Sequence, residues 1–274
     1  MKIAVAGKGG VGKTFVAACL ALSLARQGYT TIAIDADPTP NLALSLGIPL
    51  QDLNSILPVS ENKALIDSKT GTGYPGVYAM NFSVDDIVKN FSLSTPAGVN
   101  LLVMGTVKSM GAGCTCAANS VVRTLLRHLV MERDEAVILD MEAGLEHLGR
   151  GTAEGVDHMV VVSDANAKSL DTARIIARIA KDSGIPHVML VGNKIENTSE
   201  RTAIKKFAKE QGLFPAGFVP FDPAVVQAGI AGDPVLALKG CPAVRAVTRI
   251  GRSMIKETPY RKLQDAMVEK REKP

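Results

Sequence analysis

Gly7-Lys8-Gly9-Gly10-Val11-Gly12-Lys13-Thr14 has the spacing G-x-x-x-x-G-K-[ST], the pattern of a loop that cradles phosphate. Glycines let backbone N–H groups close around phosphate oxygens, and a helix that follows adds the positive end of its dipole. In such a loop the amides of Gly9, Gly10, Val11 and Gly12 face the phosphates. Lys13 reaches the β- and γ-phosphates, and the Thr14 hydroxyl ligates Mg²⁺. The pattern therefore implies binding of a nucleoside triphosphate with Mg²⁺. A plain flexible turn is the other reading, but a turn needs neither the lysine nor the hydroxyl at those places. Lys8 occupies a free position of the pattern, where a solvated surface lysine serves equally well.

Three other stretches carry groups that could act with that loop. Residues 30–35 (T-T-I-A-I-D) end in Asp35-Ala36-Asp37-Pro38, and carboxylates at the carboxyl end of a parallel strand sit where open α/β sheets bind ligands. An Asp-Pro turn ending a strand is the plainer alternative. Residues 135–140 (E-A-V-I-L-D) end likewise in Asp140. Between them lies Gly111-Ala112-Gly113-Cys114-Thr115-Cys116. Cysteines one residue apart can direct both sulfurs at one centre, and the helix expected over 119–131 would lower their thiol pKa. A C-x-C pair is short for a relaxed intrachain disulfide; two buried small residues or a redox pair remain alternatives. Two ligands do not close a metal site, but two such pairs across a dimer axis supply four thiolates.

The elements that must position these groups read as alternating strand and helix. Apolar runs at 2–6, 30–35, 100–104, 135–140, 156–163 and 186–194 are of buried-strand type. Helical periodicity follows at 15–27, 166–183 and 199–211. Residues 77–82 read as an edge or hairpin strand after turn chemistry at 70–76, and 50–100 holds no catalytic constellation. Residues 243–255 form a helix with Val244, Val247, Ile250 and Met254 on one stripe, fit either to pack on a sheet or to lie on a membrane surface. The expected fold class is α/β: a single-domain P-loop NTPase on an open, mainly parallel sheet with helices on both faces.

Composition narrows the function further. A hydrophobic fraction of 46% in 274 residues supports a full core, and an aromatic fraction of 4% points to aliphatic packing. A net charge of +4, spread along the chain, argues against a dedicated nucleic-acid surface. No apolar run of membrane-spanning length or signal peptide is expected, and four cysteines in so long a chain are no disulfide framework. The expectation is a cytoplasmic protein that binds neither nucleic acid nor membrane. Cys19 and Cys241 read as structural.

The loop with its second lysine resembles the deviant P-loop ATPases, the class containing nitrogenase iron protein and the septum- and plasmid-positioning ATPases. That resemblance implies ATP as the nucleotide and a homodimer in which Lys8 crosses to the partner subunit's nucleotide. It implies that Asp37 orients the attacking water in the first switch, with Asn41 nearby and Asp35 supporting the Mg²⁺ shell. Asp140 holds that shell through water, and Ala143 and Gly144 face the γ-phosphate as the second switch. Val191-Gly192-Asn193-Lys194 resembles the class's base-recognition motif, with Asn193 on adenine. Val219-Pro220-Phe221-Asp222-Pro223 resembles its second base-contacting loop, which brings in Pro220 and Asp222; a helix-capping Asp222 is compatible with that role.

Within the class, Gly113-Cys114-Thr115-Cys116 and the segment from Asp140 through Leu145-Glu146-His147-Leu148-Gly149-Arg150-Gly151 are similar to the nickel-insertion ATPases of carbon monoxide dehydrogenase, the CooC type. The relatives that serve acetyl-CoA synthase are similar too. The resemblance covers residues 1–257 as one ATPase domain and leaves 258–274 as a charged tail. It implies that Cys114 and Cys116 of two subunits jointly bind Ni²⁺ or Zn²⁺, and that ATP turnover drives delivery of nickel to one of those client enzymes. Four thiolates suit zinc at least as well as nickel. His147 stands where nitrogenase iron protein has its second cluster cysteine. Two other classes stay open: a positioning or partition ATPase, which has no need of C-x-C, and an iron–sulfur reductase, which would carry a coloured cluster.

A role for Lys8 in trans is testable by subunit mixing. Lys8→Ala is expected to bind ATP and hydrolyse it poorly, and Asp37→Asn to bind ATP without turnover. In a mixed dimer one site carries both defects and the other neither, so activity should partly recover. No recovery at any mixing ratio would remove the trans role.

Overall fold

The computed structural model of the chain describes residues 1–37, 41–72, 85–105, 121, 124–125, 135–141 and 156–257. Eight strands, β1 (Lys2–Gly7), β2 (Thr30–Asp35), β3 (Leu93–Ser94), β4 (Asn100–Val103), β5 (Glu135–Asp140), β6 (His158–Ser163), β7 (His187–Ile195) and β8 (Phe214–Pro220), form one sheet. Their order is β3-β4-β2-β5-β1-β6-β7-β8. All pairs are parallel except β3 with β4. The helices among the described residues include α1 (Lys13–Ala25), α2 (Leu42–Ser45), α3 (Leu50–Leu53), α4 (Lys63–Thr70), α5 (Asp85–Phe91), α6 (Ala167–Asp182), α7 (Thr198–Glu210), α8 (Pro223–Ala231) and α9 (Pro242–Glu257).

Strand side chains alternate between two cores, because successive residues point to opposite faces. Ile3 and Val5 of β1 pack with α1 and α9, while Ala4 and Ala6 pack on the side of α6 and α7. Both faces of β1 are covered, so residues 3–6 are one unbroken apolar run instead of an alternating one. α1 is apolar nearly all round because it lies between the sheet and α9. The stripe of α9 is occupied in the same way: Val247, Ile250 and Met254 are buried against the core that contains α1 and β8, with Val244 half-buried beside them. Packing on the sheet is therefore the use of that stripe. Among the described residues no helix is long and apolar enough to cross a membrane.

The connections create the crevice that the site uses. From β1 the chain passes through α1 to β2, skipping over β5; from β5 it later reaches β6 on the far side of β1. Chain segments thus leave the carboxyl ends of β1 and β5 in opposite directions, the arrangement that opens a ligand crevice in doubly wound sheets. The strands expected at 2–6, 30–35, 100–104, 135–140, 156–163 and 186–194 are present within a few residues. β8 is an addition, and its Phe-Pro-Ala-Gly-Phe-Val-Pro sequence hides it. A strand with two prolines is tolerated because β8 is an edge strand. The strand expected at 77–82, most of the helix at 119–131 and the tail 258–274 lie outside the described residues.

At the amino end of the sheet, His158 is 1% exposed, and neither ring nitrogen has a hydrogen-bond partner among the described residues. Its ring stacks on that of His187, with centroids 4.8 Å apart. Burial, then the neighbouring His187, lowers its pKa to about 4, against partial opposition from Asp157. A histidine held neutral in the fold but free to protonate near 6.5 when unfolded favours the unfolded chain as pH falls. Stability should therefore drop as pH goes from about 6.5 towards 4, by on the order of a few kcal/mol. Denaturant unfolding of wild type and His158→Met across that window checks this. The wild-type curve should fall more steeply; parallel curves would show that His158 does not set the acid limb.

Candidate functional site

The phosphate-cradling loop runs from the end of β1 into α1, and Gly7, Gly10 and Gly12 are each required there by a close neighbour or by backbone conformation. A Cβ on Gly7 would run into the carbonyl oxygen of Val162 on β6, and one on Gly12 into the Asn193 amide nitrogen. Gly10 and Gly12 have φ of 81° and 91°, in the left-handed region that favours glycine. Gly12 caps α1 without a side chain, and α1 has no acidic residue in its first turn. Its first N–H groups and the positive end of its dipole are therefore compensated by no side-chain cap and no first-turn acid, which is what an anion site needs. Lys13 is largely buried at the start of that helix, and Lys8 is half-buried on the loop.

A loop with its amides turned inward leaves its carbonyls facing outward, and β7 receives them. Asn193 donates from Nδ2 to the Val11 carbonyl at 2.7 Å, and Lys194 donates from Nζ to the Gly10 carbonyl at 2.8 Å. Asn193 is 4% exposed, so its bond is shielded from competing water. Lys194 takes a φ of 57°, a conformation that costs an L-residue about 1 kcal/mol. Sequence reasoning assigned Asn193 to adenine and gave Lys194 no role. The structure places both on the phosphate loop's backbone, and the signal for Lys194 was only its place next to Asn193.

The segment expected to be the second base contact lies on the same rim. Ile195 of β7 is in register with Pro220 of β8, and the Phe221 N–H donates to the Ile195 carbonyl at 3.0 Å. Asp222 caps α8 by accepting the Ala224 N–H at 3.0 Å. Residues 9–14, Asn193, Pro220 and Asp222, far apart in sequence, thus share the carboxyl edge of the sheet.

On the other side of β1, Asp35 and Asp140 are paired neighbours on β2 and β5. Asp35 is fully buried and accepts the N–H of Asp37 at 3.1 Å and that of Leu42 at 2.9 Å. It therefore ties both ends of the segment that carries Asp37 and Asn41. Burial pushes its pKa up to about 6, against the N–H groups of Leu42, Asp37 and Asn41. Asp140 is 1% exposed and pushed up to about 7, first by burial and then by the charge of Asp35, against the Thr14 hydroxyl hydrogen bond and Lys13.

One oxygen of Asp140 is buried with no hydrogen-bond partner among the described residues. That orphaned carboxylate oxygen, the Thr14 hydroxyl beside it and the nearby charges of Asp35 and Asp37 suit a hard, oxygen-seeking divalent cation. The residues present fit Mg²⁺. Cys114, Cys116, Ala143, Gly144 and His147 lie outside the described residues.

The sequence profile of the CobQ/CobB/MinD/ParA nucleotide binding domain matches residues 2–235. The carbon monoxide dehydrogenase accessory protein CooC of Rhodospirillum rubrum is 43% identical over 236 residues, covering 85% of this chain and 88% of that protein. An uncharacterised ATP-binding protein of Methanocaldococcus jannaschii is 41% identical over 239 residues, covering 86% and 91%. Among solved structures, the MinD cell division protein of Aquifex aeolicus matches with a TM-score of 0.65 at 19% identity, covering 94% of this chain and 97% of that one. At that identity the match bears on the fold, and the folds agree.

If the Asn193 amide holds the loop, removing it must be felt before any nucleotide binds. Asn193→Ala leaves the Val11 carbonyl without its buried partner, which should lower the stability of the nucleotide-free protein by about 1–3 kcal/mol. Urea unfolding in the absence of ATP reads this directly. An unchanged midpoint and slope would confine Asn193 to contacts with the nucleotide.

Proposed function

The chain belongs to the CobQ/CobB/MinD/ParA family of nucleotide-binding domains, and from that premise we propose that this Mg²⁺-dependent ATPase is a metallochaperone. Its cargo is nickel, and its client is carbon monoxide dehydrogenase or acetyl-CoA synthase. The observation that carries this reading is the 43% identity to a carbon monoxide dehydrogenase accessory protein along 85% of the chain, in a sequence that also holds Cys114 and Cys116.

The amides of residues 9–14 and Lys13 bind the ATP phosphates, stabilising charge that grows on the γ-phosphoryl group as its bond breaks. Mg²⁺, held by Thr14 and by Asp140 through water, supplies positive charge against the phosphate oxygens when bound. Asp37 orients the attacking water. Its backbone N–H is tied to Asp35, so the carboxylate starts from a fixed segment. Asn193, Pro220 and Asp222 border the adenine. Lys8 enters the partner subunit's site, so hydrolysis requires a dimer.

Cys114 and Cys116 from two subunits form a four-thiolate site for Ni²⁺, with Zn²⁺ a competent substitute. ATP and metal then both favour the dimer, and each raises the apparent affinity for the other. The segment after Asp140 offers a route between the sites, since the resemblance sets Ala143 and Gly144 against the γ-phosphate and residues 144–151 continue from them in sequence. The role of a positioning ATPase is less favoured: the stripe of α9 is buried against α1 and β8, and positioning makes no use of the cysteine pair.

Metal analysis tests the reading. Anaerobically purified protein should bind one Ni²⁺ or Zn²⁺ per pair of chains and dimerise with it. C114A/C116A should lose both properties while its monomer still binds ATP. Stoichiometric metal on a monomer, or metal-driven dimerisation of the double variant, would place the cargo elsewhere. A coloured, redox-active cluster would make the protein an iron–sulfur reductase.

A further inference from the structure

Cys241 stands one residue ahead of α9 and is 6% exposed, on the face of the sheet that α1 covers. Its sulfur donates to Oδ2 of Asp222 at 3.0 Å. The other carboxylate oxygen, Oδ1, accepts the Ala224 N–H at 3.0 Å, and the Ala243 N–H also turns towards the group. One side chain therefore caps α8 and closes the entry to α9. The thiol is also close enough to Cys19 of α1 for a charge on either to disfavour one on the other. α9 in turn packs on both α1 and β8. The carboxylate is thus tied, through Cys241, to the helix that begins with Lys13 and Thr14.

We propose that Cys241 is a positioning residue for base recognition: its thiol sets the orientation of the Asp222 carboxylate and so seats residues 220–222 against the adenine, although Cys241 itself touches no nucleotide. The inference rests on the reading that this segment borders the base. Its physical basis is the two-oxygen geometry. Without the thiol donor the carboxylate keeps only the Ala224 and Ala243 N–H groups, and its orientation is less closely fixed. The loop then samples several seats, and nucleotide binding must reorder it. Burial, followed by the hydrogen bond to Asp222, raises the thiol pKa, so the sulfur keeps the proton that it donates. A hydroxyl at the same place could donate similarly; a methyl group could not.

The test compares equilibrium binding of ATP and of inorganic tripolyphosphate, which has the phosphates and no base, to full-length wild type, C241A, C241S and D222A. C241A is expected to weaken ATP about three- to tenfold and to leave tripolyphosphate within about twofold. C241S should return ATP affinity to within about twofold of wild type. A purely structural role through α1 would instead weaken both ligands alike, and that result overturns the proposal. So does wild-type ATP binding by C241A while D222A binds ATP weakly. If D222A itself binds ATP as wild type does, the assignment of Asp222 to the base fails first, and the role of Cys241 falls with it. Should C241A not fold, C241S against D222A decides: the hydroxyl must keep the ATP affinity that D222A loses.

Discussion

A phosphate loop has to hold its N–H groups in one direction without side chains of its own to brace it. Its glycines grant the necessary dihedral angles and by the same property grant many others. The constraint must therefore come from behind, onto the carbonyls that face away from the ligand. Here it comes from β7, where Asn193 and Lys194 hold the carbonyls of Val11 and Gly10. Close contact of Gly7 with β6 fixes the other end. The rest of the site depends on that bracing, because the position of every phosphate contact is referred to it.

The same economy governs the acidic side. Asp35 is buried, and its carboxylate anchors the N–H groups of Asp37 and Leu42 while its charge acts on the neighbouring Asp140. Both Asp37 and Leu42 are thereby attached to the end of β2. Asp140, its neighbour on β5, keeps one oxygen without a partner among the described residues. Two carboxylates in register on adjacent strands thus differ in role because backbone N–H groups reach one and a hydroxyl and a cation site face the other.

A segment that looked uninformative as sequence also has a place in this arrangement. The Ser60 N–H donates to the Met104 carbonyl at 3.0 Å, just past the end of β4. The chain that leads towards Cys114 and Cys116 therefore starts from a point held by residues 58–60. The Asp35 carbonyl accepts the Met104 N–H at 2.9 Å and ties that point to the end of β2.

By itself the sequence determined the strand–helix alternation, the phosphate loop and the carboxylates at strand ends. Each of these is written in a local pattern: an apolar run, a glycine spacing, an aspartate closing a strand. It also marked 193 and 220–222 as belonging to one site, through their resemblance to known base-contact motifs. It did not show β8, whose prolines read as loop and are allowed only because the strand lies at the sheet edge. It could not assign Lys194 to the Gly10 carbonyl, Asp35 to two backbone amides or Cys241 to Asp222. Those pairings join residues from 2 to 184 positions apart, and each depends on the direction of a side chain. Direction and distance of that kind are fixed by strand order and helix packing, which no local pattern contains.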